Sequence, residues 1–352
     1  MSSKEKSRAN KKKTGKSLGE PVPVSGRHHE PGAKDVKRSR RQIFIIVGIV
    51  VAVILGIFAP FYYLNYVKPF NRTIITVDNV QISMRYFLER TRLANSDPLS
   101  MLDSLTSELV IKIMAPQYGI QVTDADIDSA LRSMASGGTG DISDIEFEEW
   151  YRQMLNDNKV SDSLYREIVG ASLLASRLQT YLAERVPTVA EQVHLHMIVV
   201  LSYEEAQAAE ARLEAGEDFA TVAREVSIDS GAKENGGDQG WLPPLMLSDY
   251  QSLVEALDIG EVSAIIPYYS SSSQSTSSSS STPSAYYIFM VSEKDSARQL
   301  TEEHRQILQA RALELWLLAE IPNHTITYNF NSEIYAWINW QLEKSSGTSS
   351  GG

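Results

Sequence analysis

Cysteine is absent from all 352 residues. Its absence excludes disulfides, thiolate metal sites, a cysteine nucleophile and lipid attachment at a cysteine. Positive charge is scarce in most of the chain. The formal net charge is -11, yet residues 1–42 hold 13 Lys/Arg against four acids, which leaves -20 on the remainder. An acidic body excludes nucleic acid as its partner, because neutralising phosphates takes a basic face. No Gly-x-Ser-x-Gly elbow stands between a strand and a helix, as a serine hydrolase of that type would need. The loop Gly236-Gly237-Asp238-Gln239-Gly240 is not followed by the Gly-Lys-Ser/Thr and helix start of a phosphate loop.

What is present starts with a basic tail. Residues 1–42 are rich in Lys, Arg, Ser, Gly and Pro and have too few apolar side chains to offset the entropy of ordering, which reads as disorder. Residues 43–66 form the one long apolar stretch. Ile43 to Leu64 carries no charge and is interrupted only by Pro60. Roughly 20 residues of helix cross a hydrocarbon core. Lys37, Arg38, Arg40 and Arg41 precede the run and only Lys68 and Arg72 follow closely, so the positive-inside rule places the N-terminus in the cytoplasm and the bulk of the chain outside. Tyr62, Tyr63 and Tyr66 fall at an interfacial belt. The run is long for a signal-peptide core and lacks a small-x-small site after it, so the reading is an uncleaved single-pass anchor in the cell membrane.

Residues 69–187 read as helical after a short hairpin. Asp78-Asn79 breaks the alternating run from Arg72 to Ile82. Ser83 is placed to cap a helix to about Arg92. Leu102, Leu105, Leu109 and Ile113 make one stripe on a helix over 99–118, with Gly119 as its stop. Thr123 opens a third helix, and two more span about 144–156 and 161–185. Residues 299–343 return to helix, with Thr301 as a cap, and 344–352 read as a disordered tail.

Between these lies the region 193–298. Val193 to Val200 reads as a strand and Ser202-Tyr-Glu-Glu205 as a capping box. Phe219 to Val226 follows as a short helix. Residues 270–284 are almost all serine and read as a mobile insertion. His196-Met-Ile-Val199, Ser227-Ile-Asp229, Gly236-Gly-Asp-Gln-Gly-Trp241, Met246 with Tyr250, Gly260-Glu-Val-Ser263 and Ala285-Tyr-Tyr-Ile288 occur in that order. This set resembles the parvulin family of peptidyl-prolyl isomerases. Val77 to Ser83, Leu102 to Gly119 and Ile120 to Ile127 resemble the helical N-terminal region of SurA- and PrsA-type foldases.

The resemblance implies an α+β fold: one transmembrane helix, then a helical chaperone domain built from 69–187 and 299–343, with a parvulin-like domain of small antiparallel sheet and helices inserted at 193–298. It implies His196, Asp229 and Tyr287 as catalytic residues, and Gln239, Met246 and Tyr250 as the lining of a proline pocket. Two positions depart from the family. Tyr287 stands where the family has its second histidine, and Gln239 stands for a pocket leucine. A phenol can still donate a hydrogen bond there. No cofactor is required, since isomerisation needs binding of the twisted amide rather than a nucleophile or metal. His194 and His196 share a strand face, but no carboxylate cluster follows nearby in sequence, so no metal is assigned. The implied function is isomerisation of X-Pro bonds in unfolded or exported polypeptides, together with chaperoning. Two alternatives stay open: a holdase with a degenerate parvulin domain, and an envelope scaffold.

Overall fold

Helix α1 (Ala33–Tyr62) carries the apolar run and passes into a π-helical turn, Tyr63–Val67. It begins at Ala33 rather than Ile43, because Lys, Arg and Gln propagate a helix well once the apolar part has nucleated it. Pro60 removes one intrahelical donor, and downstream the Asn65 amide donates to the Phe61 carbonyl at 2.8 Å. The segment Phe44–Asn65 is long and apolar enough to cross a membrane. The computed structural model describes residues 33–138, 141–269 and 282–347. The disorder expected at 1–32, most of the serine insertion (270–281) and the tail 348–352 lie outside the described residues. The chain divides into the units Met1–Lys68 and Pro69–Gly352.

After the single turn α2 (Lys68–Asn71), strands β1 (Thr73–Val77) and β2 (Val80–Ser83) form the hairpin. Asp78 takes a left-handed φ of 51° at its turn, a conformation short polar side chains tolerate. The Ser83 hydroxyl accepts from the Tyr86 amide and caps α3 (Met84–Ala94). Asp97 and Pro98 start α4 (Pro98–Met114). Pro116 converts the expected last turn into a 3-10 segment, Ala115–Tyr118, and Gly119 ends it at φ 74°. Capping boxes at Thr123/Asp126 and Ser143/Glu146 open α5 (Asp124–Ala135) and α6 (Asp144–Asn158), and Ser161 caps α7 (Asp162–Ala183).

The second sheet starts with β3 (Val189–Val200), followed by α8 (Tyr203–Glu214), α9 (Phe219–Val226), α10 (Ser230–Asn235) and β4 (Asp238–Leu242). A 3-10 segment, Pro244–Tyr250, leads into α11 (Gln251–Ala256), then β5 (Ile266–Tyr268) and β6 (Ala285–Gln299). The strand order is β4-β3-β6-β5, and every pairing is antiparallel. One face buries Ile198, Val200 and Ile288 against Ala206, Ala209, Phe219 and Val222 of α8 and α9. The other buries Val193, Leu195, Phe289 and Val291 against Val254 of α11 and Leu257. Gly237 has φ +83°, and a Cβ there would lie 2.9 Å from Phe219 Cε1 and 3.0 Å from the Met197 carbonyl oxygen. Only glycine lets β4 leave α10 so close to the core.

Thr301 caps α12 (Glu302–Ala310), which breaks at Arg311 before α13 (Ala312–Glu320). Strand β7 (Ile326–Tyr328) adds to β1, giving a sheet of order β2-β1-β7, and α14 (Ser332–Gly347) follows. Ile338 of α14 is fully buried in one core with Ile74, Ile75, Phe87, Leu105 and Leu109. The two ends of Pro69–Gly352 therefore share a sheet and a core. The helix α14 continues to Gly347, beyond the expected start of a tail at residue 344.

Candidate active site

On the face of the second sheet opposite α8 and α9, four aromatic rings form a basin. Tyr287 and Phe289 alternate along β6, so both project to this side, with ring centroids 5.8 Å apart. Tyr268, from edge strand β5, lies 5.2 Å from Tyr287. Tyr250 meets Tyr287 edge-on at 5.7 Å and Phe289 at 5.4 Å. Such offset and edge geometries are the favourable ones for aromatic rings. Tyr250, Tyr268 and Tyr287 each keep part of their surface open to solvent. Burial raises the phenol pKa of both Tyr250 and Tyr287. Both therefore stay protonated at neutral pH and remain hydrogen-bond donors. Among the described residues, the Tyr287 hydroxyl has no protein partner.

Asp229 borders this basin for a local reason. The Ser227 hydroxyl accepts from the Val199 amide, and the Ile228 amide donates to the Val199 carbonyl. The loop thus extends the free edge of β3 at the residue that pairs with Tyr287. The Asp229 carboxylate accepts from the Ala232 amide at 2.7 Å as the cap of α10. Its charge reaches Tyr287 and adds to the effect of burial in raising that phenol's pKa. Met246 is half-buried on the segment that ends in Tyr250, and its carbonyl accepts from Arg311. The Gln239 amide donates to the Gly237 carbonyl at 3.3 Å, which ties it to the glycine turn.

His196 does not join this group. It pairs with Met290 while Val199 pairs with Tyr287, and an odd step along a strand reverses the face. The imidazole points to the helix side, edge-on to Phe219 at 6.0 Å, with Nε2 3.0 Å from Ser292 Oγ. Burial lowers its pKa, outweighing Asp238, which acts the other way. His194 lies beside it at 5.2 Å, stacks on Trp241 at 5.4 Å, and brings Nε2 within 2.9 Å of Asp238 Oδ1. Asp238 lies far from these histidines in sequence and reaches them through the β3–β4 pairing. Sequence reasoning also missed Tyr268 and Phe289. Strand alternation from Tyr287 was the signal for Phe289, whereas Tyr268 depended on a pairing across the serine insertion.

Residues 201–286 match the family model described as a PPIC-type PPIase domain, or rotamase. The chain carries a parvulin-type rotamase domain. The foldase protein PrsA of Geobacillus kaustophilus is 27% identical over 173 residues, covering 47% of this chain and 56% of that protein. The foldase protein PrsA of Clostridium tetani is 34% identical over 117 residues, covering 33% of this chain and 32% of that protein. The chain matches about half the length, or less, of these curated relatives. Among solved structures, PrsA from Bacillus cereus is similar at 17% identity and a TM-score of 0.34, covering 78% of this chain and 92% of that one.

Proposed function

We propose that the chain isomerises X-Pro bonds in unfolded polypeptides, with the substrate proline seated in the basin of Tyr250, Tyr268, Tyr287 and Phe289. The observation that carries this reading is that basin, on the rotamase sheet, with Asp229 at its edge. The barrier to be lowered is about 18–20 kcal/mol and comes from amide resonance. Twisting the amide removes that resonance, so a site that favours the twisted form over both planar forms accelerates the exchange. The aromatic walls take the pyrrolidine ring and strip water from the imide. The Tyr287 hydroxyl donates to an imide-bond oxygen or nitrogen as charge redistributes, and Asp229 adds negative charge at the edge of the basin. Met246 and Gln239 belong to the segments that flank the basin, and His196 supports the sheet from the far side.

The same reading assigns residues 43–66 to a single-pass anchor with the N-terminus cytoplasmic, which holds the rest of the chain outside the cell membrane. Residues 69–187 with 299–343 form the chaperone domain and 193–298 the isomerase. Exported polypeptides are the clients. A cavity of about 600 Å³ lined by Ile120, Val122, Ile127 and Leu174, beside Lys112 and Arg166, offers a place for an apolar client segment. A binding-only chaperone is the second reading, favoured by the position of His196 away from Tyr287. A protease-coupled assay on a proline tetrapeptide, run beside a client-aggregation assay, separates the two. Faster isomerisation supports the first reading. Unchanged isomerisation with suppressed aggregation leaves only the second.

A further inference from the structure

We propose that His194, His196 and Asp238 form a binding site for a divalent transition-metal ion of the zinc, nickel or copper class. One ligand atom from each of the three residues lies within 4.8 Å of the other two. The site is on the opposite face of the sheet from the aromatic basin and is independent of the isomerase reading. Two histidines two apart on one strand face, with a carboxylate from the neighbouring strand, make a donor set suited to these borderline ions.

The hydrogen bonds around the rings point the same way. Ser292 Oγ donates to the His194 carbonyl at 3.4 Å, so it accepts from His196 Nε2 at 3.0 Å. That places the His196 proton on Nε2 and leaves its Nδ1 as a bare lone pair. His194 Nε2 faces a carboxylate oxygen of Asp238, and in the neutral ring it donates there and leaves Nδ1 as the bare nitrogen. Both Nδ1 atoms are buried and have no hydrogen-bond partner. His194 Nδ1 also lies 3.7 Å from Glu293 Oε1, so a lone pair faces an anion.

A cation resolves both mismatches. His196 offers Nδ1 to the metal while Ser292 holds its Nε2–H. His194 shifts its proton from Nε2 to Nδ1 and binds the metal through Nε2, so that the Nδ1–H then faces the Glu293 carboxylate 3.7 Å away. The result is a carboxylate–histidine–metal arrangement, with no proton gained or lost by either ring. Asp238 supplies the third ligand, and its Oδ1 is already oriented by the Gly240 amide at 2.7 Å. Trp241 holds the His194 ring in place by stacking, with the Arg298 guanidinium 4.1 Å from the Trp241 centroid. The fourth coordination position is left to water.

The test uses the full chain in detergent, stripped with chelator and titrated with zinc and nickel salts by calorimetry. One ion per chain is expected. Affinity should fall about tenfold or more in His194→Gln, His196→Gln and Asp238→Asn, and about tenfold in Ser292→Ala. Nickel should also quench Trp241, a signal lost in Trp241→Phe while stoichiometry is kept, so the site is reported even if a ligand variant misfolds. The proposal is overturned if the chelated wild type takes up no ion. It is equally overturned if binding and quenching persist unchanged in the His194 and Asp238 variants, which would move the ion to another histidine.

Discussion

Tyr287 sits directly opposite Val199 in the β3–β6 ladder, and the same Val199 holds the loop that presents Asp229. A single backbone position therefore brings a phenol and a carboxylate to one edge of the aromatic basin. It also sends His196, an odd number of residues away, to the other face.

The Tyr287 hydroxyl can be removed without removing its ring. Tyr287→Phe preserves the ring stack and removes one donor, so kcat/KM on a proline tetrapeptide should fall about tenfold, or about 1.4 kcal/mol in the barrier. Tyr287→Ala also removes a basin wall and should fall further. Equal activity of wild type and Tyr287→Phe in the protease-coupled assay would remove the hydroxyl from the mechanism.

Asp229 has two separable roles, as a helix cap and as a charge. Asn also caps helices well, so Asp229→Asn should keep the melting temperature, whereas Asp229→Ala should lose about 0.5–2 kcal/mol of stability. Asn removes the negative charge beside Tyr287, so the phenol pKa should drop in Asp229→Asn. A spectrophotometric titration of tyrosinate, read against Tyr287→Phe, checks this.

Acid should loosen the helical part of the molecule through Glu108. Burial alone would raise its pKa, but hydrogen bonds and charges from Arg90 and Lys112, at 2.8 Å each, reverse that and lower it. A folded pKa below the unfolded one means that the stabilisation is present above the unfolded value of about 4.3 and is lost as pH falls through the folded value. Thermal melts should show Tm dropping as pH goes below about 4, with a shallower drop in Glu108→Gln. At pH 7 the same substitution should cost about 1–3 kcal/mol, because Arg90 and Lys112 lose the negative charge they share and one of its two acceptor oxygens.

Ile338 tests the joining of the two ends. Its side chain is fully buried among residues from β1, α3 and α4. Ile338→Ala should destabilise by about 2–5 kcal/mol, and hydrogen exchange should then quicken in β1 as well as α14. Exchange confined to α14 would show that the helix docks without supporting the core.

Much of this was legible in advance. Caps at Ser83, Thr123, Ser202 and Thr301 involve residues within three or four positions of one another, so the local chain alone dictates them. The apolar run of α1 and the stop at Gly119 follow from composition and from the conformational freedom of glycine. Other features stayed hidden because they depend on register. A strand alternates with period two, and the irregularities in β3 after Ala190 and His194 decide which side chains share a face. No count along His194 to Val200 reveals that His196 and Tyr287 part company.

The linear chain thus determined most of the longer helices, several of their caps, the membrane-length segment and the residue types from which an isomerase site can be built. Folding in three dimensions decided which of those residues meet. Asp238 reaches His194, and Tyr268 reaches Tyr287, only through strand pairing. That pairing is set by the burial of two opposite sheet faces at once, a condition that no short stretch of sequence can impose alone.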